Sequence, residues 1–303
     1  MGTSWSLRFD NPAQLPLDAV RAAVEAALGR VIAQMSTWEP DSDISRFARA
    51  DAGSCHRIAP EFAEVLGCAL RWAEASAGAI DPSIGALVGL WGFGAHAVSA
   101  PGLPAAHAVA AARSRTGWQR LRFDGASRTI VQPGGMALDL SAVAKGFAVD
   151  HASEALRALG LSNFLLEIGG ELRAFGHRPG GRHWQVQIEA APGVRASVGL
   201  SDMAIATSGD HWQRRAHGER HWSHTIDPRS GEPAMAGLAA VSVLHPSCME
   251  ADALATVLAV LGPLDGAAFA DRHRIAALFH ARDAGGGMLA QPSAAWAGAA
   301  DPR

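Results

Sequence analysis

Apolar residues recur along this chain at two spacings, one typical of helices and one typical of strands. The helical spacing predicts amphipathic helices at Leu17–Met35 and near Pro60–Ala77, and an Ala-rich helix within Pro101–Gly117. Further helices are expected from Ser141 to about Leu159 and from Met249 to about Leu261. Ser141 is the expected N-cap of its helix, because a serine hydroxyl accepts a bond from the free N–H groups of the first turn.

Short apolar runs between these helices predict strands, the first at Ser4–Phe9 and a late one at Ile275–Phe279. The other expected strands are Trp118–Phe123, Thr129–Gln132, Asn163–Ile168, Leu172–Phe175, Trp184–Ile188 and Ala196–Leu200. Helices mixed with antiparallel hairpins favour an α+β fold over a regular βαβ alternation. Residues 284–303 are rich in Ala, Gly and Pro, and we expect them to form a loose tail.

Composition narrows the class of protein. A length of 303 residues allows one large or two modest domains with an ample core. The net charge of −3 predicts no affinity for nucleic acid or for membrane surfaces, and no apolar run is long enough to predict a membrane span. Cys55, Cys68 and Cys248 are odd in number and lack metal-type spacing, so a disulfide framework is not expected.

The most informative local pattern is the pair Asp252 and Thr256 at the start of the last predicted helix. Residues i and i+4 share a helix face, so a carboxylate and a hydroxyl can meet one point. Hard oxygens suit Mg2+ better than zinc or copper, and magnesium with few protein ligands is usually completed by a phosphate. In the alternative interpretation, Asp252 favours the helix N-terminus electrostatically and Thr256 bonds back to the Asp252 carbonyl.

Two further segments carry candidate chemistry. His224–Pro233 contains Asp-Pro, a glycine and a second proline, which predicts a tight, shaped turn after a short strand. Leu138–Asp150 is expected to run from a strand into a helix, with Lys145 about one turn inside it. Helix N-termini accept anions, and a nearby lysine such as Lys145 fits a phosphate. The alternative interpretations are an ordinary hairpin at His224–Pro233 and a solvated surface lysine at Lys145.

Four histidines, His211, His217, His221 and His224, lie close together and raise the alternative of a transition-metal site. The same stretch carries three arginines, which repel a cation, and it contains no cysteine. In a strand, alternate side chains also point to opposite faces. We therefore expect no zinc site, and of the four only His224, at the mouth of the turn, is a functional candidate.

The segments that carry these features resemble, in order, those of the ApbE family, the FAD:protein FMN transferases. The resembling stretches are Met1–Ser6, Met35–Phe47, Ile80–Gly85, Leu90–Gly94, Asp139–Asp150, Glu167–Glu171, Ala206–Asp210, His224–Gly231 and Ala251–Thr256. Each stretch is short and degenerate, but their order over most of the chain is specific. The resemblance implies a two-lobed, T-fold-like α+β architecture of mixed, largely antiparallel sheets flanked by helices. Residues 1–283 would then be one domain of two interleaved lobes.

The resemblance also implies a set of functional residues. Asp252 and Thr256 would bind Mg2+ through side-chain oxygens and Ala142 through its backbone carbonyl. The residues that match FAD-contacting positions are Met1, Trp38, Ala79, Ile80, Asp81, Asp139, Lys145 and Ile226. Trp38 would supply an aromatic against the flavin, and His224 is the candidate base, since imidazole titrates near neutral pH.

The implied reaction is Mg-dependent transfer of the FMN moiety of FAD to a Ser or Thr hydroxyl, with release of AMP. The implied partner is an acceptor protein with an FMN-binding domain. Two alternatives stay open: an FAD pyrophosphatase that yields FMN and AMP, and a flavin-binding protein without turnover. The N-terminus shows no export signal, so we expect a cytoplasmic protein, or a periplasmic one if a leader is missing from this chain.

Overall fold

The computed structural model describes residues 3–98, 102–191, 194–210, 214–234, 237–283 and 287–300. The chain divides into two compact units, each assembled from separated segments. The first unit contains Val31–Ala144 and Trp212–Met235. The second unit contains Gly2–Arg30, Lys145–His211 and Ala236–Arg303.

Helices and strands are mixed along the chain, and among the described residues the strands from 164 to 245 follow one another without a helix between them. The helices are α1 (Leu17–Met35), α2 (Asp43–Ala48), α3 (Pro60–Ala75), α4 (Gly85–Leu90), α5 (Ala106–Arg113), α6 (Ala144–Ala158), α7 (Cys248–His273) and α8 (Trp296–Ala300). The strands are β1 (Trp5–Phe9), β2 (Cys55–Arg57), β3 (Arg122–Asp124), β4 (Thr129–Val131), β5 (Phe164–Ile168), β6 (Glu171–Phe175), β7 (Trp184–Ala191), β8 (Val194–Leu200), β9 (Ala204–Gly209), β10 (Arg214–His217), β11 (Arg220–Ser223), β12 (Ile226–Asp227), β13 (Glu232–Pro233), β14 (Leu238–His245), β15 (Ala276–Arg282) and β16 (Met288–Pro292). The α+β fold class is confirmed, because every described pair of these strands is antiparallel.

The second unit is built on a seven-stranded sheet in the order β1-β5-β6-β9-β14-β15-β16. Helix α7 packs against β9 and β14. The β7–β8 hairpin and α8 contribute to an apolar cluster of the second unit, which includes Trp184, Val198, Leu244 and Leu278. Strand β14 is buried along nearly its whole length, which explains its mostly apolar sequence.

Helix α7 is long and apolar enough, by length and composition alone, to cross a membrane. Half of its most apolar stretch is buried inside the protein, and it packs on the central sheet. It also contains non-helical backbone at Gly262, immediately before Pro263, where the helix kinks. These features are those of a core helix rather than of a membrane span.

The first unit contains the three-stranded sheet β2-β4-β3 and the hairpins β10–β11 and β12–β13. Its apolar cluster joins α4 and α5 to Trp222 and Ile226. Trp91 is buried there, and its indole N–H donates to the carbonyl of Gly231 at 2.8 Å. Trp91 therefore anchors the loop that follows β12.

Two sequence-based boundaries were wrong. The expected strand Trp118–Phe123 begins as a 3₁₀ turn, because the Trp118 N–H donates to Asp81 Oδ2 at 3.0 Å and Gly117 has a φ of 131°. The helix expected from Ser141 begins at Ala144. The Ser141 hydroxyl donates to Asp139 Oδ1 at 2.5 Å within the preceding turn, so it does not cap the helix.

The expectation of a loose tail was also wrong for residues 288–300. Strand β16 extends the sheet by pairing with β15, and α8 packs on the second unit's core through Trp296. The Ser293 hydroxyl donates to the carbonyl of Ile275 at 2.7 Å and accepts from the Ala277 N–H at 2.9 Å. Backbone pairing to a neighbouring strand stabilises this segment, and composition does not reveal such pairing.

Candidate active site

Asp252 and Thr256 lie one turn apart near the start of α7, in a regular part of that helix. Asp252 is 3% exposed, and its Oδ2 accepts the Gly146 N–H at 2.9 Å. The Thr256 hydroxyl lies 3.3 Å from that of Ser208 on β9. The structure therefore presents a buried carboxylate and a half-buried hydroxyl on one helix face, as their spacing predicted.

The start of α7 is fixed by Asp150, a residue that the sequence analysis did not single out. Its carboxylate accepts the N–H groups of Cys248 and Met249 at 3.0 Å each and the Ser247 hydroxyl at 2.8 Å. Arg173 completes the group with an ion pair to Asp150 at 2.5 Å. A carboxylate at the positive end of a helix is electrostatically favourable. Because Asp252 follows in the next turn, this cap fixes the position of its carboxylate.

Lys145 extends from the first turn of α6 towards two carboxylates. Its ammonium lies 2.5 Å from Glu171 Oε1 and 3.3 Å from Asp252 Oδ1. Burial alone would lower the pKa of Lys145, but the charges of Asp252 and Glu171 outweigh burial and raise that pKa. Burial, together with the Asp252 charge, raises the pKa of Glu171 to about 7 despite its bond to Lys145. The lysine therefore stays charged, and here it binds carboxylates; its contact with a phosphate stays a prediction.

Gly146 lets α6 approach α7 closely at this place. A Cβ at residue 146 would overlap the carbonyl of Cys248 and lie 2.8 Å from the Cβ of Asp252. Both partners belong to the start of α7, so neither can move without displacing the candidate metal ligand.

We expect Gly146→Ala to lower the free energy of unfolding by about 1–3 kcal/mol, the usual effect of overpacking, and to weaken metal binding. Gly29→Ala is the matched control, because Gly29 lies in α1 with open space around its Cα. That change should be neutral or stabilising by up to about 1 kcal/mol. Denaturant unfolding of both variants provides the measurement. Equal stabilities would show that α6 and α7 tolerate a larger separation.

In the first unit, the predicted FAD-contacting segment Ala79–Asp81 is buried. Asp81 Oδ1 accepts the N–H and the hydroxyl of Ser83 at 2.8 and 2.6 Å, and Oδ2 accepts the Trp118 N–H. Burial raises the pKa of Asp81, although these hydrogen bonds oppose the rise. Its side chain holds its own loop together, so a ligand that reaches this segment would meet backbone rather than the carboxylate.

Asp139 lines an open cleft of about 370 Å³ that lies within the first unit. Its Oδ1 accepts the N–H and the hydroxyl of Ser141 at 2.8 and 2.5 Å, which shapes the turn that contains Ala142. Thr37 lines the same cleft, and the adjacent Trp38 is 63% exposed. Its ring is therefore accessible, and contact between Trp38 and a ligand stays a prediction.

The turn at His224 has the shape that its sequence predicts. The Gly231 N–H donates to the carbonyl of Asp227 at 2.8 Å, and Gly231 has a φ of 76°. The backbone N–H of Arg229 and two N–H groups of its side chain donate to the Asp227 carboxylate, each at 2.9 Å. His224 is half-buried, with its ring edge-on to that of Phe93 at 6.3 Å. Ile226, a predicted FAD contact, is buried in the first unit's core.

Met1 and His211 lie outside the described residues. His217 and His221 are exposed residues of the β10–β11 hairpin, where His217 lies opposite Arg220 in the strand register. Among the residues that the structure describes, no three or more His, Cys, Asp or Glu side chains are arranged to hold a metal ion. Magnesium is often bound by only one or two carboxylates together with substrate phosphates, and such binding does not require a cluster of this kind.

The donor atoms around Asp252 and Thr256 suit Mg2+. Asp252, Thr256 and the neighbouring Ser208 offer oxygen atoms only, which is the preference of a hard cation. In the described part of the chain, Glu171 Oε2 is buried without a hydrogen-bond partner. The acidic environment around Asp252 is therefore not fully neutralised by the protein, and these residues fit a divalent cation.

Comparisons with known proteins identify the family of this chain. The sequence model of the ApbE family matches residues 1–279. The FAD:protein FMN transferase of Haemophilus influenzae is 33% identical over 91% of this chain and 83% of that protein. The one from Vibrio cholerae is 34% identical over 92% of this chain and 84% of that protein.

Solved structures give the same result. The apo form of the flavinyl transferase ApbE from Pseudomonas stutzeri superposes with a TM-score of 0.90 at 36% identity, over 99% of this chain and 94% of that one. The flavin transferase ApbE from Vibrio cholerae gives 0.90 at 33% identity, over 98% and 96%.

Proposed function

The chain belongs to the ApbE family, and from this premise we propose that it transfers the FMN moiety of FAD to a hydroxyl group of an acceptor protein. The observation that carries the proposal is that relatives named FAD:protein FMN transferase match about nine-tenths of the chain. The protein is thus a transferase that uses FAD as substrate and an acceptor flavoprotein as partner. We further propose that the acceptor residue is Ser or Thr within an FMN-binding domain.

The proposed chemistry is phosphoryl transfer. The acceptor oxygen forms a bond to the FMN phosphorus, the bond from that phosphorus to the bridging oxygen breaks, and AMP leaves. The hydroxyl proton passes to a base, and His224 is the proposed residue. When bound, Mg2+ would neutralise charge on the diphosphate, which such reactions depend on more than on covalent help from the protein. Asp252 and Thr256 are the proposed side-chain ligands, and Ala142 remains a predicted third.

The decisive assay is incubation with FAD, Mg2+ and a purified candidate flavodomain. Transfer would appear as flavin fluorescence on the acceptor in a denaturing gel, with an equal amount of AMP. AMP with free FMN and no labelled acceptor would instead identify a pyrophosphatase. Binding without AMP would identify a carrier.

FAD should bind more tightly than FMN, and ADP should compete with it, because the proposed site recognises the diphosphate and adenosine as well as the flavin ring. A loss of the adenylate contacts would cost about tenfold in affinity for each 1.4 kcal/mol. Calorimetric titrations of FAD, FMN and ADP provide the measurement. Equal affinities for FAD and FMN, with no competition by ADP, would point to a simple FMN binder.

A further inference from the structure

Lys145 is unusual in this chain, because it is the only lysine among 26 Lys and Arg residues. It is also the cation that contacts the candidate metal ligand: its Nζ lies 3.3 Å from Asp252 Oδ1 and 2.5 Å from Glu171 Oε1. The side chain of Lys145 is 33% exposed, whereas those of both carboxylates are 4% exposed. One partly exposed positive charge therefore joins two buried negative ones.

A divalent ion bound to Asp252 would compete with this ammonium. Oδ2 of Asp252 already accepts the Gly146 N–H, so the ion would be held through Oδ1, the oxygen that lies 3.3 Å from Nζ. Two cations at one buried carboxylate repel each other strongly, since the interaction is only weakly screened there. Metal binding at Asp252 thus requires the ammonium to move away from that carboxylate.

Glu171 is positioned to hold the Lys145 ammonium after it leaves Asp252. It is the first residue of β6, paired with Ile168 across the Gly169–Gly170 turn, so its backbone position is fixed by the sheet. One of its oxygens already accepts from Lys145, and in the described structure the other, Oε2, is buried without a hydrogen-bond partner. An ammonium has three donors, so it can give up Asp252 and stay bonded to Glu171.

We propose that Lys145 is the resident counter-cation of Asp252, and that Glu171 is a positioning residue that retains the ammonium when a divalent metal binds. A lysine suits this exchange better than an arginine, because its charge is a compact point on a flexible stem rather than a planar fork. The proposal rests on the proposed function only in taking Asp252 as a metal ligand.

A double-mutant cycle on the FAD-free full chain tests the proposal, with Mn2+ affinity measured from the paramagnetic resonance signal of free Mn2+. Glu171→Gln should weaken Mn2+ binding at least tenfold, because the ammonium then has Asp252 as its main partner. In a Lys145→Met background the same Glu171→Gln change should alter the affinity less than threefold. Equal losses in both backgrounds would mean that Glu171 attracts the metal by its own charge, which would overturn the proposal.

Thermal unfolding of each variant serves as the control for correct folding. If Lys145→Met alone does not fold, Lys145→Met/Glu171→Gln removes one charge of each sign and carries the same test. That double variant should bind Mn2+ at least tenfold more tightly than Glu171→Gln. A double variant no tighter than Glu171→Gln would remove Lys145 as a competitor.

The single lysine permits a direct readout. Lysine labelled with 15N at Nζ marks Lys145 alone. Its resonance should move as Mg2+ is added, with the same midpoint as a calorimetric titration of the protein with Mg2+. A resonance that stays in place while Mg2+ binds would contradict the displacement. The variant Asp252→Asn distinguishes a failure of the displacement from a failure of the metal assignment. Unchanged Mn2+ binding by that variant would show that Asp252 is not a metal ligand, whatever Lys145 does.

Discussion

Asp252→Asn is expected to reduce Mg-dependent release of AMP from FAD by about 10³-fold or more. The reason is that metal stabilisation of transition-state charge contributes several kcal/mol, and about 1.36 kcal/mol corresponds to a tenfold change in rate. Asparagine keeps the size of the side chain and an oxygen for the Gly146 N–H, but it lacks the negative charge. The loss should therefore appear in catalysis and metal affinity more than in folding. EDTA added to the wild-type protein should have the same effect.

Asp265→Asn is the matched control for this experiment, because it makes the same change on α7 at an exposed position beyond the kink. It should leave AMP release within about twofold of wild type, as expected for an exposed surface change. Chromatographic measurement of AMP at saturating Mg2+ compares the two variants. If Asp252→Asn turned over FAD at the wild-type rate, Asp252 would not be the metal ligand.

His224→Ala is expected to leave FAD affinity nearly intact and to lower single-turnover transfer of FMN by about 10²–10⁴, the usual contribution of a general base. The loss should become smaller as pH rises, because the acceptor hydroxyl then needs less help to lose its proton. Rapid-quench measurement of the flavinylated acceptor over a range of pH provides the test.

His221→Ala is the control for this variant, since His221 is an exposed neighbour on β11. The competing role for His224 is structural, because its ring packs edge-on against Phe93. In that case FAD affinity and thermal stability should fall together with the rate. Transfer within about twofold of wild type, in a folded variant that binds FAD, would remove His224 from the mechanism.

The elements that the sequence predicted well depend on local periodicity. Helices α1 and α3 follow from apolar stripes, and the turn from Asp227 to Gly231 follows from residues that impose their own backbone geometry. The pairing of Asp252 with Thr256 is local as well, because helix geometry alone puts both on one face. Strand β16 and helix α8 were missed, because they depend on hydrogen bonds and packing supplied by distant residues.

The fold class, the family and the oxygen pair on α7 follow from the amino-acid sequence alone, since each depends on short-range spacing or on the order of short motifs. The electrostatic surroundings of that pair depend on how the chain folds. Lys145 is 26 residues from Glu171 and 107 from Asp252, and Asp150 caps a helix that begins 98 residues later. The charge state of a buried carboxylate depends on which groups surround it in space, and residues so far apart in sequence become neighbours only when the chain folds.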